Sequence, residues 1–147
     1  MEVKELGHVV LYVRDLDRSR AFYRDVLGFP EIVATPPIAA FSTPRTHHEL
    51  LLIEVGEDAA ALPPGRRVGM YHFGLKIGDS DDELRQAVDD LAEAGVTIMG
   101  ATDHTVSHSL YIADPDGNEI ELYIDVQPEV WRENPEAVVA RPKPLSL

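Results

Sequence analysis

The sequence predicts an α+β fold of two βαβββ modules forming a curved mixed-sheet half-barrel around a metal cleft, and three observations carry that prediction. A strand-like run at His8 leads into a helix-like run. The same order starts again at His72. The two histidines, and the helix-capping aspartates Asp15 and Asp79 that follow them, are each offset by 64 residues. Repeats this short need a partner to bury their apolar face, so two such units should pack side by side, within one chain or across a dimer.

Module 1 is expected over residues 4–55. Lys4 to Val13, rich in Val, Leu and Tyr, reads as a strand, and Asp15 after it can accept the free backbone N–H groups of a helix start. From Leu16 to Leu27 the apolar residues Leu16, Ala21, Phe22, Val26 and Leu27 fall near helical spacing, and Gly28 stands where a left-handed cap ends a helix. Strand-like runs follow at Glu31 to Thr35, Ile38 to Ser42 and His48 to Val55, interrupted by Pro36, Pro37 and Pro44.

Residues 56–68, with Pro63, Pro64 and Gly65, read as a linker, and module 2 is expected over 69–125. It repeats the pattern: strand Tyr71 to Ile77, Asp79 as cap, helix Asp82 to Ala94 with Leu84, Ala87, Val88 and Leu91 on one face, and Gly95 as stop. Strands then fit at Val96 to Met99, Ser107 to Ile112 and Asn118 to Ile124, the last two joined by the tight turn Asp114-Pro115-Asp116-Gly117. Both modules are expected to form a single domain over 1–125, and the proline-rich residues 126–147 are expected as an extended tail anchored by Trp131.

Composition narrows the function. The chain has 147 residues, 44% of them hydrophobic, enough for a real core. With 13 Lys and Arg against 26 Asp and Glu, the formal charge of -13 makes nucleic acid and anionic membranes unfavourable partners and suits a small molecule or a metal cation. No apolar run approaches the ~20 residues needed to span a bilayer, and the first residues do not form a secretory signal, so a soluble, cytoplasmic protein is expected. The absence of cysteine excludes disulfides, thiolate ligands and a cysteine nucleophile, which leaves His, Asp and Glu to carry any metal chemistry.

Strand alternation then selects candidates. His8, Val10 and Tyr12 share one face of the first strand, His72, Gly74 and Lys76 one face of its counterpart, and Glu119, Glu121 and Tyr123 one face of the last. A lone strand histidine is more often a hydrogen-bonded core residue than a ligand. A histidine recurring at the same place in both halves, while neighbours such as Val9 and Phe73 vary, has little reason to do so as packing. His8, His72 and Glu121 are therefore the expected metal ligands. Two imidazoles and one carboxylate leave about three of six octahedral positions open, the arrangement of non-haem Fe(II) oxygenases.

The segments GHVVLYVRDLDRSRAFYRDVLGF, YHFGLKIGDSDDEL and LYIADPDGNEIELY, spanning roughly residues 4–125, resemble the vicinal oxygen chelate superfamily. That superfamily includes glyoxalase I, fosfomycin and bleomycin resistance proteins, methylmalonyl-CoA epimerase and type I extradiol dioxygenases. Its glyoxalases and epimerases take a fourth ligand, Glu or Gln, from the last strand of the first module. The matching stretch here is His48-Glu49-Leu50-Leu51-Leu52, with Leu50 in the ligand position, or Glu49 after a one-residue slip.

Three further residues look like the extradiol branch. His48, second of the pair His47-His48, resembles its acid–base histidine. Tyr111, ten residues before Glu121, keeps the spacing of its active-site tyrosine, and His104 resembles its supporting histidine, a role His108 also fits because the loop is about two residues shorter. His47 is expected to face away from the cleft, and Tyr123 is unassigned.

The resemblance implies an Fe(II)-dependent dioxygenase that opens a catechol-type aromatic diol, with Mn(II), Zn(II) or Ni(II) as other metals. A small aromatic substrate and dioxygen are the implied partners, and a homodimer is the expected assembly. Extradiol cleavage needs a metal holding diol and dioxygen side by side and a base in the range of histidine. A glyoxalase-like lyase or epimerase is the first alternative, and a small-molecule-binding resistance protein without turnover the second.

Overall fold

The computed structural model describes residues 1–147, which fold as two compact units, Met1–Leu62 and Pro63–Leu147, so the boundary falls inside the expected 56–68 linker. The class is mixed α+β with two mixed sheets, as the sequence predicts. No helix is long and apolar enough to cross a membrane.

Unit 1 holds β1 (Val9–Val13), helix α1 (Leu16–Arg20), β2 (Glu31–Thr35), β3 (Ile38–Phe41) and β4 (Leu50–Glu54). Its sheet runs β1-β4-β3-β2, with β1 parallel to β4 and the remaining pairs antiparallel. Alternation puts Leu11 and Val13 of β1 and Leu50 and Leu52 of β4 in the core, with Val10 and Tyr12 on the opposite, exposed face. Truncating a side chain as buried as Leu52 to Ala typically costs about 2–5 kcal/mol.

The expected strand Lys4 to Val13 starts only at Val9, where the Val9 N–H donates to the Glu49 carbonyl at 2.9 Å and pairing with β4 begins. Asp15 caps α1 as expected, accepting from the Arg18 N–H at 2.8 Å. The helix expected to run regularly to Leu27 instead widens into a π-helical segment over Ala21–Val26, closed by the Leu27 N–H on the Phe22 carbonyl. That widening lets the sequence neighbours Phe22 and Tyr23 both reach the core. Gly28 follows at φ 66°, a conformation that only a residue without Cβ adopts at no steric cost.

Unit 2 holds β5 (His72–Gly78), α2 (Asp81–Glu93), β6 (Gly100–Asp103), β7 (Ser107–Ala113), β8 (Glu119–Asp125), α3 (Pro128–Glu133), a 3₁₀ turn over Pro135–Val139 and β9 (Lys143–Pro144). The order β5-β8-β7-β6 reproduces that of unit 1, including the parallel first pair, and β9 adds a fifth strand at the β6 edge. The duplicated βαβββ order is thus present in both sheets.

Three expectations are corrected here. The α2 cap is Ser80 rather than Asp79: Ser80 Oγ accepts from the Glu83 N–H, and the Glu83 carboxylate reaches back to the N–H of Asp79, the residue before the cap, at 2.8 Å, much as in a capping box. The strand expected at Val96 to Met99 lies at Gly100–Asp103, because the Val96 N–H is used to close α2 on the Leu91 carbonyl. Residues 126–147 are not simply extended. Pro128 starts α3, where a residue lacking an N–H is tolerated, and Lys143–Pro144 joins the sheet.

Candidate metal centre

In unit 2 the parallel pairing of β5 and β8 sets His72 opposite Glu119 and Gly74 opposite Glu121, while antiparallel β7 sets Tyr111 opposite Glu121. Four of the residues expected from the sequence are thereby brought together: His72, Glu121, Tyr111 and His104. His72 Nε2 lies 3.2 Å from Glu121 Oε2. The other carboxylate oxygen, Oε1, accepts from Ser109 Oγ at 2.6 Å and from the Tyr111 hydroxyl at 3.3 Å. His104, on the turn between β6 and β7, places Nε2 2.7 Å from that hydroxyl. With Tyr111 donating to Glu121, the contact is satisfied when the His104 Nε2–H donates to the tyrosine oxygen.

This donor set fits a divalent ion. One oxygen of Glu121 is held by two hydroxyl donors, and its partner oxygen and the His72 nitrogen stand as far apart as two adjacent ligands with bonds near ~2.1 Å, whose separation is about 3 Å. His72 Nδ1 is buried without a hydrogen-bond partner, 3.7 Å from Glu119 Oε1, where a small rotation would give it a carboxylate acceptor. Gly74 makes room: a Cβ there would stand 3.2 Å from the Tyr123 ring and 3.6 Å from Glu121 Oε2. Burial and the charge of Glu121 push the Tyr111 phenol well above its usual range, so it stays a protonated donor at neutral pH.

His104 rather than His108 stands beside Tyr111. His108 points to the start of α2 instead, with Nδ1 2.6 Å from Asp81 and Nε2 3.9 Å from Asp103, and so ties the helix to the hairpin. Sequence reasoning did not assign Ser109, Glu119 or Tyr71. Ser109 and Glu119 carried a signal, since each lies two residues before an expected site residue on the same strand face. The Tyr71 ring packs on His72 at 4.5 Å, and the charge of Glu119, followed by burial, raises its phenol pKa.

In unit 1, His8 immediately precedes β1 and His48 stands two residues before β4. Their ring centroids are 4.3 Å apart. His47, expected to face away, lies 4.4 Å from His48 and 5.6 Å from His8. Strand alternation does not apply to the pair, because β4 begins only at Leu50. Burial, then the neighbouring His47 and His8, hold the His48 pKa below the usual histidine value, which favours the neutral ring.

Neither Glu49 nor Leu50 is the register counterpart of Glu121. Leu50 is buried in the core, and the Glu49 carboxylate is engaged by the Thr43 N–H and hydroxyl and by Arg45. Val10, the counterpart of Gly74 at the 64-residue offset, pairs with Leu51, so Leu51 is the counterpart of Glu121. It offers no donor atom.

Comparison with known proteins accords with the fold. The chain is 38% identical over 135 residues to Catechol-2,3-dioxygenase of Bacillus subtilis (strain 168), covering 92% of this chain and 46% of that protein. It is 34% identical over 125 residues to Biphenyl-2,3-diol 1,2-dioxygenase 3 of Rhodococcus globerulus, covering 82% of this chain and 63% of that protein. The chain thus spans about half to two thirds of the length of these relatives. Among solved structures, lactoylglutathione lyase from Agrobacterium tumefaciens superposes with a TM-score of 0.64 at 29% identity, covering 84% of this chain and 95% of that one. The family model that matches, over residues 5–122, carries the description Glyoxalase/Bleomycin resistance protein/Dioxygenase superfamily, and the chain belongs to that superfamily.

Proposed function

We propose that this chain is an Fe(II)-dependent extradiol dioxygenase that opens the ring of a catechol-type aromatic diol. The observation that carries the reading is the linked set in unit 2, in which His104 meets Tyr111 and Tyr111 and Ser109 hold one oxygen of Glu121 while the other faces His72. Similarity to two proteins named as dioxygenases of aromatic diols supports it.

In this proposal His72 and Glu121 are metal ligands, and His8 is the third, on the strength of the sequence repeat. An Fe(II) ion with three protein ligands supplies open positions for a diol and dioxygen and the redox capacity that ring opening requires. Mn(II), Zn(II) and Ni(II) are other ions the same donors accept. His48, kept neutral by burial and by its histidine neighbours, takes the proton of a substrate hydroxyl and later returns one. Tyr111, held protonated, turns its single O–H from the long 3.3 Å contact with Glu121 to a substrate oxygen when substrate binds, and His104 orients it. A cytoplasmic location and a homodimer belong to the same proposal.

A lyase or epimerase of this superfamily would use a second carboxylate to move its proton, and the apolar Leu51 at the position matching Glu121 weighs against that alternative. The test is anaerobic loading with Fe(II), followed by oxygen and a small panel of catechols, with oxygen uptake and yellow ring-opened product as readouts. Turnover is expected for at least one catechol, and His48→Ala should keep near-normal iron content while losing most of the turnover. Full activity in that variant would remove His48 from its role. Tight binding of catechols by the iron-loaded protein without oxygen uptake would favour a binding protein instead.

A further inference from the structure

The dioxygenase reading uses His8 and His48 but leaves His47 without a task, although the three rings form one cluster in unit 1. Each offers a ring nitrogen, and these nitrogens all lie within 4.8 Å of one another. The backbone explains the meeting: the Val9 N–H bonds to the Glu49 carbonyl at 2.9 Å, which draws the residue before β1 to the pair that leads into β4. Two further observations point to a ligand. His48 Nε2 is buried and has no hydrogen-bond partner, a cost that coordination would relieve. His47 Nδ1 already contacts Thr46 Oγ1 at 3.2 Å, which leaves its Nε2 to bind an ion and gives the ring the outer hydrogen bond that metal-bound histidines usually have.

No carboxylate belongs to the cluster. Glu49, nearest in sequence, is committed to Ser42, Thr43 and Arg45. A donor set of three neutral imidazoles suits Zn(II), Ni(II) or Cu(II) better than Fe(II) or Mn(II), and leaves a fourth tetrahedral position for water. Tetrahedral nitrogens on zinc stand about 3.4 Å apart, from bonds near ~2.0–2.1 Å. His8 and His47 are exposed, and rotation of these two rings can close the remaining gap.

We infer that His8, His47 and His48 form a second metal site, a three-imidazole site for a borderline divalent ion, with Zn(II) as the ligand named. The consequence for the proposed reaction rests on the function assigned above. An ion held there occupies His8 and His48 together, so it withdraws one proposed iron ligand and the proposed base at once, and zinc inhibits by competing for His8.

The test separates the two sites. In the full chain, the double variant His72→Ala, Glu121→Ala removes the proposed catalytic ligands of unit 2 and leaves the cluster intact. It should bind one Zn(II) per chain by calorimetric titration, and Co(II) in its place should give the intense visible bands of a tetrahedral site. Adding His47→Gln should weaken Zn(II) at least tenfold and abolish those bands, with circular dichroism confirming that the fold is retained. Absence of stoichiometric Zn(II) binding in the double variant, or unchanged affinity after His47→Gln, overturns the site. The readout needs neither iron nor substrate, so its failure leaves the dioxygenase reading intact, and absence of ring cleavage leaves this site intact.

Discussion

The Ser109 hydroxyl donates to Oε1 of Glu121 at 2.6 Å, and this contact selects which carboxylate oxygen is left to face His72. Ser109 is fully buried, so no water replaces its hydroxyl at little cost. Ser109→Ala should leave the fold in place, leave Tyr111 as the sole hydroxyl donor to Oε1, and let the carboxylate turn. Divalent-metal affinity is expected to fall about 10–100-fold, the usual effect of losing an outer-shell partner. Titration against a competing chelator measures it, and unchanged affinity would show that Glu121 needs no such support.

A second outer contact belongs to Glu119, register partner of His72, whose Oε1 lies 3.7 Å from the buried and unpartnered Nδ1. When Nε2 binds an ion, Nδ1 carries the proton and calls for an acceptor. Glu119→Gln keeps the volume but weakens the acceptor, so metal affinity should drop roughly tenfold. Glu119→Ala should drop it further. Equal affinities in all three proteins would mean that the His72 ring is fixed by packing against Tyr71 and Tyr111 alone.

Away from the site, Arg20 grips Glu31 with two hydrogen bonds of 2.8 Å, and this pairing, ahead of the opposing effect of burial, lowers the Glu31 pKa. Arg24 stands 3.8 Å from the same carboxylate and reinforces the shift, while Asp25 opposes it. A carboxylate with a depressed native pKa contributes stability that is complete above its unfolded value near ~4.3 and is lost as pH falls through the native value. Arg20→Ala should therefore cost about 1–3 kcal/mol at pH 7. The gap to wild type should shrink once pH drops below about 4. Urea midpoints across that range test this, and a gap independent of pH would assign the loss to the packing of the arginine stem.

How much of this was legible in the sequence depends on whether the signal was periodic. Alternation set Val10 and Tyr12 together on one face of the first strand, the exposed face of β1, and the 64-residue offset exposed the duplication. Tyr111 and His104, the latter alongside His108, followed from the resemblance to the extradiol branch, and Tyr111 and His104 meet at 2.7 Å. What escaped lay where strands had not yet begun or where pairing register decides. His47 was expected to turn away because strand alternation was applied to a segment that is still loop. The residue opposite Val10 is set by hydrogen-bond pairing between β1 and β4, and linear sequence left it a residue off, at Leu50 instead of Leu51. The 3₁₀ turn and β9 in residues 126–147 follow from tertiary contacts that proline content alone does not announce.

That register yields the sharpest separation between chemistries. Leu51 pairs with Val10 as Glu121 pairs with Gly74, so duplication gave both units the same position and only one of them carries a carboxylate. In the proposed dioxygenase this asymmetry keeps the protein ligand count at three, leaving room for diol and oxygen. Leu51→Glu should supply a fourth oxygen donor, raise divalent-metal affinity roughly tenfold, and suppress ring cleavage by filling an open position. Leu51 is half-buried on the face opposite the core, so the change should cost only about 1–2 kcal/mol of stability, and Leu51→Met serves as the control for altered packing. Metal titration and oxygen uptake on the same preparations read both effects. Raised affinity with cleavage intact would mean that the new carboxylate binds without blocking oxygen. Affinity no higher than that of Leu51→Met would show that position 51 supplies no donor to the ion.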